Sequence, residues 1–136
     1  MNDLFEVAQE VQNFAIKQEW TFCFIGGLAV QHWGEPRVTL DVDLTLLTGF
    51  GNEEEATNRA RDIKMTSEIS LRLCSAEDLI VMKAFADRPR DWIDVEGVIT
   101  RQSSIELDWA YIEDRLAPLA KAKESPEILR RLQKLK

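Results

Sequence analysis

The run Phe24-Ile25-Gly26-Gly27 is followed, fourteen residues after Gly27, by Asp41-Val42-Asp43-Leu44. No other feature limits the possible folds of this chain as much. An apolar strand ends in two glycines, a short helical pattern follows, and a second strand then presents two carboxylates at spacing i, i+2. Side chains alternate along a strand, so this spacing puts Asp41 and Asp43 on one face and Val42 and Leu44 on the other. Two neighbouring hard oxygen ligands suit a Mg²⁺ ion shared with substrate phosphates. The glycines let backbone N–H groups approach a phosphate at the start of the next helix, where the dipole favours negative charge. Gly-Gly alone is usually a tight turn and D-x-D alone is often a solvated edge. In this order and spacing, the two together point to a phosphate and metal site.

Of the other polar residues, Arg37 and Lys83 have two readings each. Arg37 and Thr39 precede the acid pair at alternating positions, so both can share the face of Asp41 and Asp43. Arg37 then either offsets carboxylate repulsion and touches phosphate, or forms a surface ion pair. Lys83 interrupts the apolar run Leu79-Ile80-Val81-Met82-Lys83-Ala84-Phe85. It either snorkels to water or meets an anionic ligand. Asp91 and Asp94, at i, i+3 on one helix face, are placed to complement the N-terminus of the helix that starts at Pro89. His32 is the single histidine, so no Ser-His-Asp or Cys-His set can be assembled and hydrolases of that kind are excluded.

Gly26-Gly27 with Arg37-x-Thr39-x-Asp41-Val42-Asp43-Leu44 resembles the signature of the DNA polymerase β-type nucleotidyltransferase superfamily, in the small bacterial branch related to AbiEii-type toxins. A second block, residues 75–83 followed by Ala86-x-Arg88-x-x-Asp91-x-x-Asp94, resembles the helical element of that family. The resemblance implies a minimal nucleotidyltransferase fold and Mg-dependent transfer of a nucleotide from a nucleoside triphosphate. The acceptor would be RNA, protein or a small molecule. Mg²⁺ or Mn²⁺ would sit on Asp41 and Asp43, which with Lys83 would be catalytic. Gly26, Gly27, Arg37, Thr39 and Arg88 would bind substrate, Asp91 and Asp94 would support the site by holding Lys83 or Arg88, and an antitoxin is the implied protein partner.

Active members of that superfamily carry a third carboxylate on a later strand, between apolar residues. After Gly51 this chain runs through a polar stretch to Met65, and the next strand-like run, Ile69-Ser70-Leu71-Arg72-Leu73, offers Ser70 and Arg72 at its polar positions. Glu68 is the nearest acid. The third-carboxylate strand therefore reads as deleted between 51 and 53, which predicts weak or absent turnover. The alternative is a non-catalytic relative that binds nucleotide or protein.

At 136 residues the chain reads as one domain, with an α/β core over 1–74 and a helical part over 75–136. Cys23 and Cys74 lack CxxC spacing and sit in apolar contexts, as buried thiols in a reducing cytosol do. No basic segment leads into an apolar run and no stretch reaches membrane-spanning length, so a cytoplasmic protein with no membrane partner is expected. A formal charge of −7 argues against tight non-specific nucleic-acid binding. Apolar periodicity predicts a helix over 3–17, strands over 20–25, 38–47 and 69–74, and a helix over 28–33. Further helices are expected over 76–86 and 89–101, then one through Trp109 that Pro118 should kink or end, and a last one from Pro126. The expected architecture is a small mixed sheet followed by a helical half.

Overall fold

The computed structural model describes residues 2–39, 41–46, 53–102 and 106–136. Among them are seven helices and a four-stranded mixed sheet, so the protein is of mixed α/β class. It divides into two compact units, the first comprising residues up to 75 except 33–36, the second 33–36 and 76–136. Among the described residues, no helix is long and apolar enough to cross a membrane.

In the first unit the order is α1 (Asn2–Lys17), β1 (Phe22–Ile25), α2 (Gly26–Trp33), β2 (Asp43–Leu46), α3 (Glu53–Arg59), β3 (Arg61–Lys64) and β4 (Ser70–Leu73). The sheet order is β2-β1-β4-β3. β1 pairs antiparallel with β2 and parallel with β4, and β3 and β4 form a hairpin. Phe22 and Phe24, Leu71 and Leu73, with Leu44 and Leu46 beside them, form the face that packs on Ala8, Val11 and Ala15 of α1. Alternation turns Cys23 and Thr45 to the other face, where α3 lies and the Cys23 thiol reaches the Ala56 carbonyl at 3.8 Å.

β1 and β4 share a single paired position, Phe24 with Leu73. Further back along β4 the backbone has no strand partner on that side, and Gln12 of α1 takes the place of one. Its side-chain amide donates to the Ser70 carbonyl at 2.8 Å and accepts from the Arg72 N–H at 2.9 Å. The α1–sheet contact is thus both apolar and hydrogen-bonded.

The second unit is built around α4 (Ala76–Ala86), which contacts α5 (Pro89–Arg101), α6 (Trp109–Ala122) and α7 (Glu127–Leu135). A helix buried nearly all round must be apolar nearly all round, and Leu79, Ile80, Val81 and Ala84 meet that need. The neighbours bury one stripe each: Trp92, Val95 and Val98 on α5, Ile112, Leu116 and Ala120 on α6, Ile128 and Leu132 on α7. Residues 33–36 belong here because Glu35 forms a two-point ion pair with Arg101 and Gln102 donates to the Trp33 carbonyl. Gly97 leaves them room, since a Cβ there would stand 3.3 Å from the Glu35 nitrogen.

Three sequence expectations are corrected. The strand expected over 38–47 is paired only from Asp43, because β1 stops at Ile25, opposite Asp43, and offers nothing to pair with earlier residues. Leu40 and Leu47, like residues 51 and 52 where the shortening is expected, lie outside the described residues. β3 was not anticipated: three of its four residues are charged, as befits the edge of a sheet. Pro118 does not end α6, which runs through it. The proline is exposed, so only a solvent-side hydrogen bond is lost while the buried stripe stays in register.

Gln12→Leu keeps the volume but strands a carbonyl and an N–H. Urea denaturation should show a loss of about 1–3 kcal/mol. A loss below about 0.5 kcal/mol would mean that solvent replaces Gln12.

Candidate functional site

Two groups of candidate residues form, one in each unit. In the first, β1 delivers the chain to Gly26, whose φ of 65° lies in the left-handed region and turns the strand directly into α2. Asp43 pairs with Ile25, so its side chain stands at that corner. A Cβ on Gly26 would lie 2.8 Å from Asp43 Oδ2. The carboxylate thus rests against the start of α2, whose first turn contains no acid. Gly27 is as tightly placed: a Cβ there would collide with Thr39 Oγ1 and lie 2.8 Å from Thr39 Cβ. Both glycines are required by neighbouring side chains, and Gly26 by the turn as well.

Asp43 and Asp41 are both exposed. Asp41 precedes the paired part of β2, so strand alternation does not place it. Its backbone N–H is instead turned towards Thr39 Oγ1, at 3.5 Å. Thr39 therefore has two structural duties beside the substrate contact expected of it. The carbonyl of Arg37 accepts a hydrogen bond from the Gln31 side chain.

Glu68 does not reach this corner. It lies in the turn between β3 and β4, with its N–H on Thr66 Oγ1. β4 runs parallel to β1 and only its last residue, Leu73, lies beside Phe24. Glu68 is five residues back, at about 3.3 Å each, towards the other end of the sheet. Asp62 was missed with β3, and it faces Arg72 across the hairpin at 3.4 Å. Three strand spacings separate its strand from β2, or about 14 Å. The polar position of β4 next to β1 holds Arg72, whose guanidinium lies 5.3 Å from the Phe22 ring centre. Among the described residues, no group of three or more His, Cys, Asp or Glu is placed to hold a metal ion.

In the second unit, Lys83, Arg88, Asp91 and Asp94 come together. The Lys83 ammonium is 3.2 Å from Asp91 and 3.0 Å from Asp94, and all three residues are buried. At most one of its three N–H donors remains for anything else. Asp91 also receives the Arg88 guanidinium, Nε at 2.6 Å and Nη2 at 3.2 Å, and the Arg88 backbone N–H at 3.3 Å. Arg88 is the extended residue before Pro89, as proline demands of its predecessor. Asp91, three residues on, accepts the Arg88 N–H at the start of α5, while its own N–H donates to the Arg88 carbonyl. Both readings of Asp91 therefore hold at once: it completes the helix start and fastens two cations. Burial pushes the Asp91 carboxyl up, but hydrogen bonds and charge from Arg88 and Lys83 outweigh it and hold the group below the ordinary carboxylate range.

A carboxylate held low contributes stability in full above its unfolded value near pH 4 and loses it as pH falls through its folded value. Asp91→Asn should therefore cost about 3 kcal/mol at pH 7, the lower end for breaking a buried pair, because Asp94 still holds Lys83. In urea titrations the gap between parent and variant should close as the pH is lowered below about 4. A pH-independent gap would assign the loss to packing instead.

Gly27→Ala should cost about 1–3 kcal/mol by forcing Thr39 away. The same change in a Thr39→Gly background should cost less, and a double-mutant cycle measures the difference. Strict additivity would rule out the contact.

Compared with known proteins, the chain matches no family model and no curated sequence.

Proposed function

We propose that the first unit binds a nucleoside triphosphate together with Mg²⁺ or Mn²⁺, in the manner of the DNA polymerase β-type nucleotidyltransferases, and that transfer to an acceptor is slow. The observation that carries this reading is the corner where Asp43 Oδ2 rests against Gly26 at the start of α2. It joins a carboxylate and the N–H-rich end of a helix at one point of the fold. These are complementary requirements of a metal-bound phosphate chain.

The donor set fits such a cation: Asp41 and Asp43 are hard oxygen donors and both are exposed. When bound, the cation would offset negative charge on the triphosphate. The chain's own part is to bind and orient. N–H groups at the start of α2 receive phosphate oxygens, and the bare Cα of Gly27 lets Thr39 pack close beside them. Arg37 is the guanidinium of this unit that the family resemblance assigns to substrate; Arg88, which it assigns there as well, belongs to the second unit and is bound to Asp91. Lys83, held by two aspartates, fits a supporting role better than a mobile catalytic one.

The expectation of slow transfer rests on the acids that the described residues do not bring to this corner. Acceptor attack needs a base or a further oxygen ligand near the transferred group. Glu68, in the turn between β3 and β4, and Asp62, on β3, both lie away from this corner. That observation also favours the second reading, a non-catalytic relative that binds nucleotide and works through a protein partner such as an antitoxin. RNA, a protein or a small molecule remains the acceptor class if transfer occurs.

The binding claim is tested by thermal unfolding with ATP, GTP, CTP or UTP and Mg²⁺ or Mn²⁺. A ligand at a hundred times its Kd adds about 2.7 kcal/mol, so at least one triphosphate should raise Tm by several degrees. Asp41→Asn with Asp43→Asn should abolish the shift and leave the unliganded fold intact. An unchanged shift in the double variant would remove the metal assignment. Incubation with labelled triphosphates and cell extract should give little or no labelling. Robust labelling lost in Asp43→Asn would overturn the claim of slow transfer.

A further inference from the structure

We infer that Gln31 is a positioning residue for Asp41, because it sets the register of an extended segment laid along one face of α2. This deepens the proposed triphosphate site and rests on it.

The segment between α2 and β2 has neither helix nor ladder to shape it. Residues before Asp43 have no strand partner, since β1 ends opposite that residue. Something else must satisfy and place this backbone. Two contacts do so. Gln31 donates its side-chain amide to the Arg37 carbonyl, six residues on, and Gly27 lies directly against Thr39.

The spacing of these contacts agrees on the two sides. Gly27 and Gln31 are at i, i+4 on α2, so they share one face and lie about 6 Å apart along the axis. Arg37 and Thr39 are two residues apart, about 6.6 Å in extended chain. The segment therefore runs back along α2 in an extended form, Arg37 over Gln31 and Thr39 over Gly27. Asp41, two residues on, continues from the Gly27 side of that register, towards the N-terminal end of α2. The Thr39 hydroxyl, accepting from the Asp41 N–H, fastens that last step. The register on α2 thus delivers Asp41 to the helix end where Asp43 already stands, a placement that strand pairing does not supply.

Gln31→Met tests this, because it keeps the shape and removes the donor. Gln31→Glu is the second variant, an isostere whose ionised carboxylate accepts only and repels the Arg37 carbonyl. The first readout is the backbone ¹⁵N order parameter of residues 37–39 and 41–43. These should be near the rigid value of about 0.85 in the parent and fall towards about 0.6 in both variants, with β1 unchanged. The second is the affinity for Mn²⁺·ATP, expected to weaken about fivefold, the scale of one net hydrogen bond, with Tm of the free protein little altered. Order parameters that do not move would overturn the register. Loosened residues with unchanged Mn²⁺·ATP affinity would overturn the positioning role. If the parent binds neither Mn²⁺ nor ATP, the functional reading fails, and the order parameters alone still decide whether Gln31 sets the register.

Discussion

The left-handed turn at Gly26 is the constraint on which the arrangement of the first unit depends. By bending β1 into α2 after only four strand residues, it decides where the sheet stops. The β1–β2 ladder then ends at Asp43, and the chain before it must be held by something other than a strand. The surface of α2 is the nearest support, and it is bare at Gly27 because Thr39 needs the space. One backbone conformation, open only to glycine at low cost, thus sets the length of two strands, the place of one carboxylate and the route of the segment leading to the other.

The second unit solves a different problem. α4 is central and apolar, yet it carries Lys83 inside the packing. A buried ammonium is tolerated only with full compensation, and α5 supplies two aspartates from one face. Asp94 is the nearer of the two, and Asp91 also receives Arg88 and accepts the first N–H of its own helix start. Such clusters are weak evidence of net stability compared with an apolar core, but they strongly disfavour any packing of α4 on α5 that separates the charges. The register between these two helices is accordingly specified by charge as well as by the Trp92, Val95 and Val98 stripe.

Much of this was legible in the residues. The long amphipathic helices were visible in their stripes, because a repeating apolar face signals helix without reference to partners. Gly26-Gly27 and Asp43 were legible as neighbours, since a strand-to-helix turn and a following strand bring them to one end of a sheet. β3 was hidden: Arg61, Asp62 and Lys64 are polar because an edge strand faces solvent, and edge position is not a local property. Glu68 was misplaced for a related reason. Its distance from Gly26 depends on β4 being parallel to β1, and strand direction is not written in a five-residue pattern. Gln12 and Gln31 gave no signal, as each acts on backbone atoms of a distant or irregular segment.

The chain by itself determined which segments are helical, which face of each is apolar, and that a glycine turn and an acid pair occur together, because these depend on residue type and spacing alone. Only the tertiary structure decided that the ladder ends at Asp43, that Asp41 lies outside the paired part of β2, and that Lys83 is spent on Asp91 and Asp94. Each of those outcomes is set by where a partner stops or stands, and partners are chosen by packing rather than by local sequence.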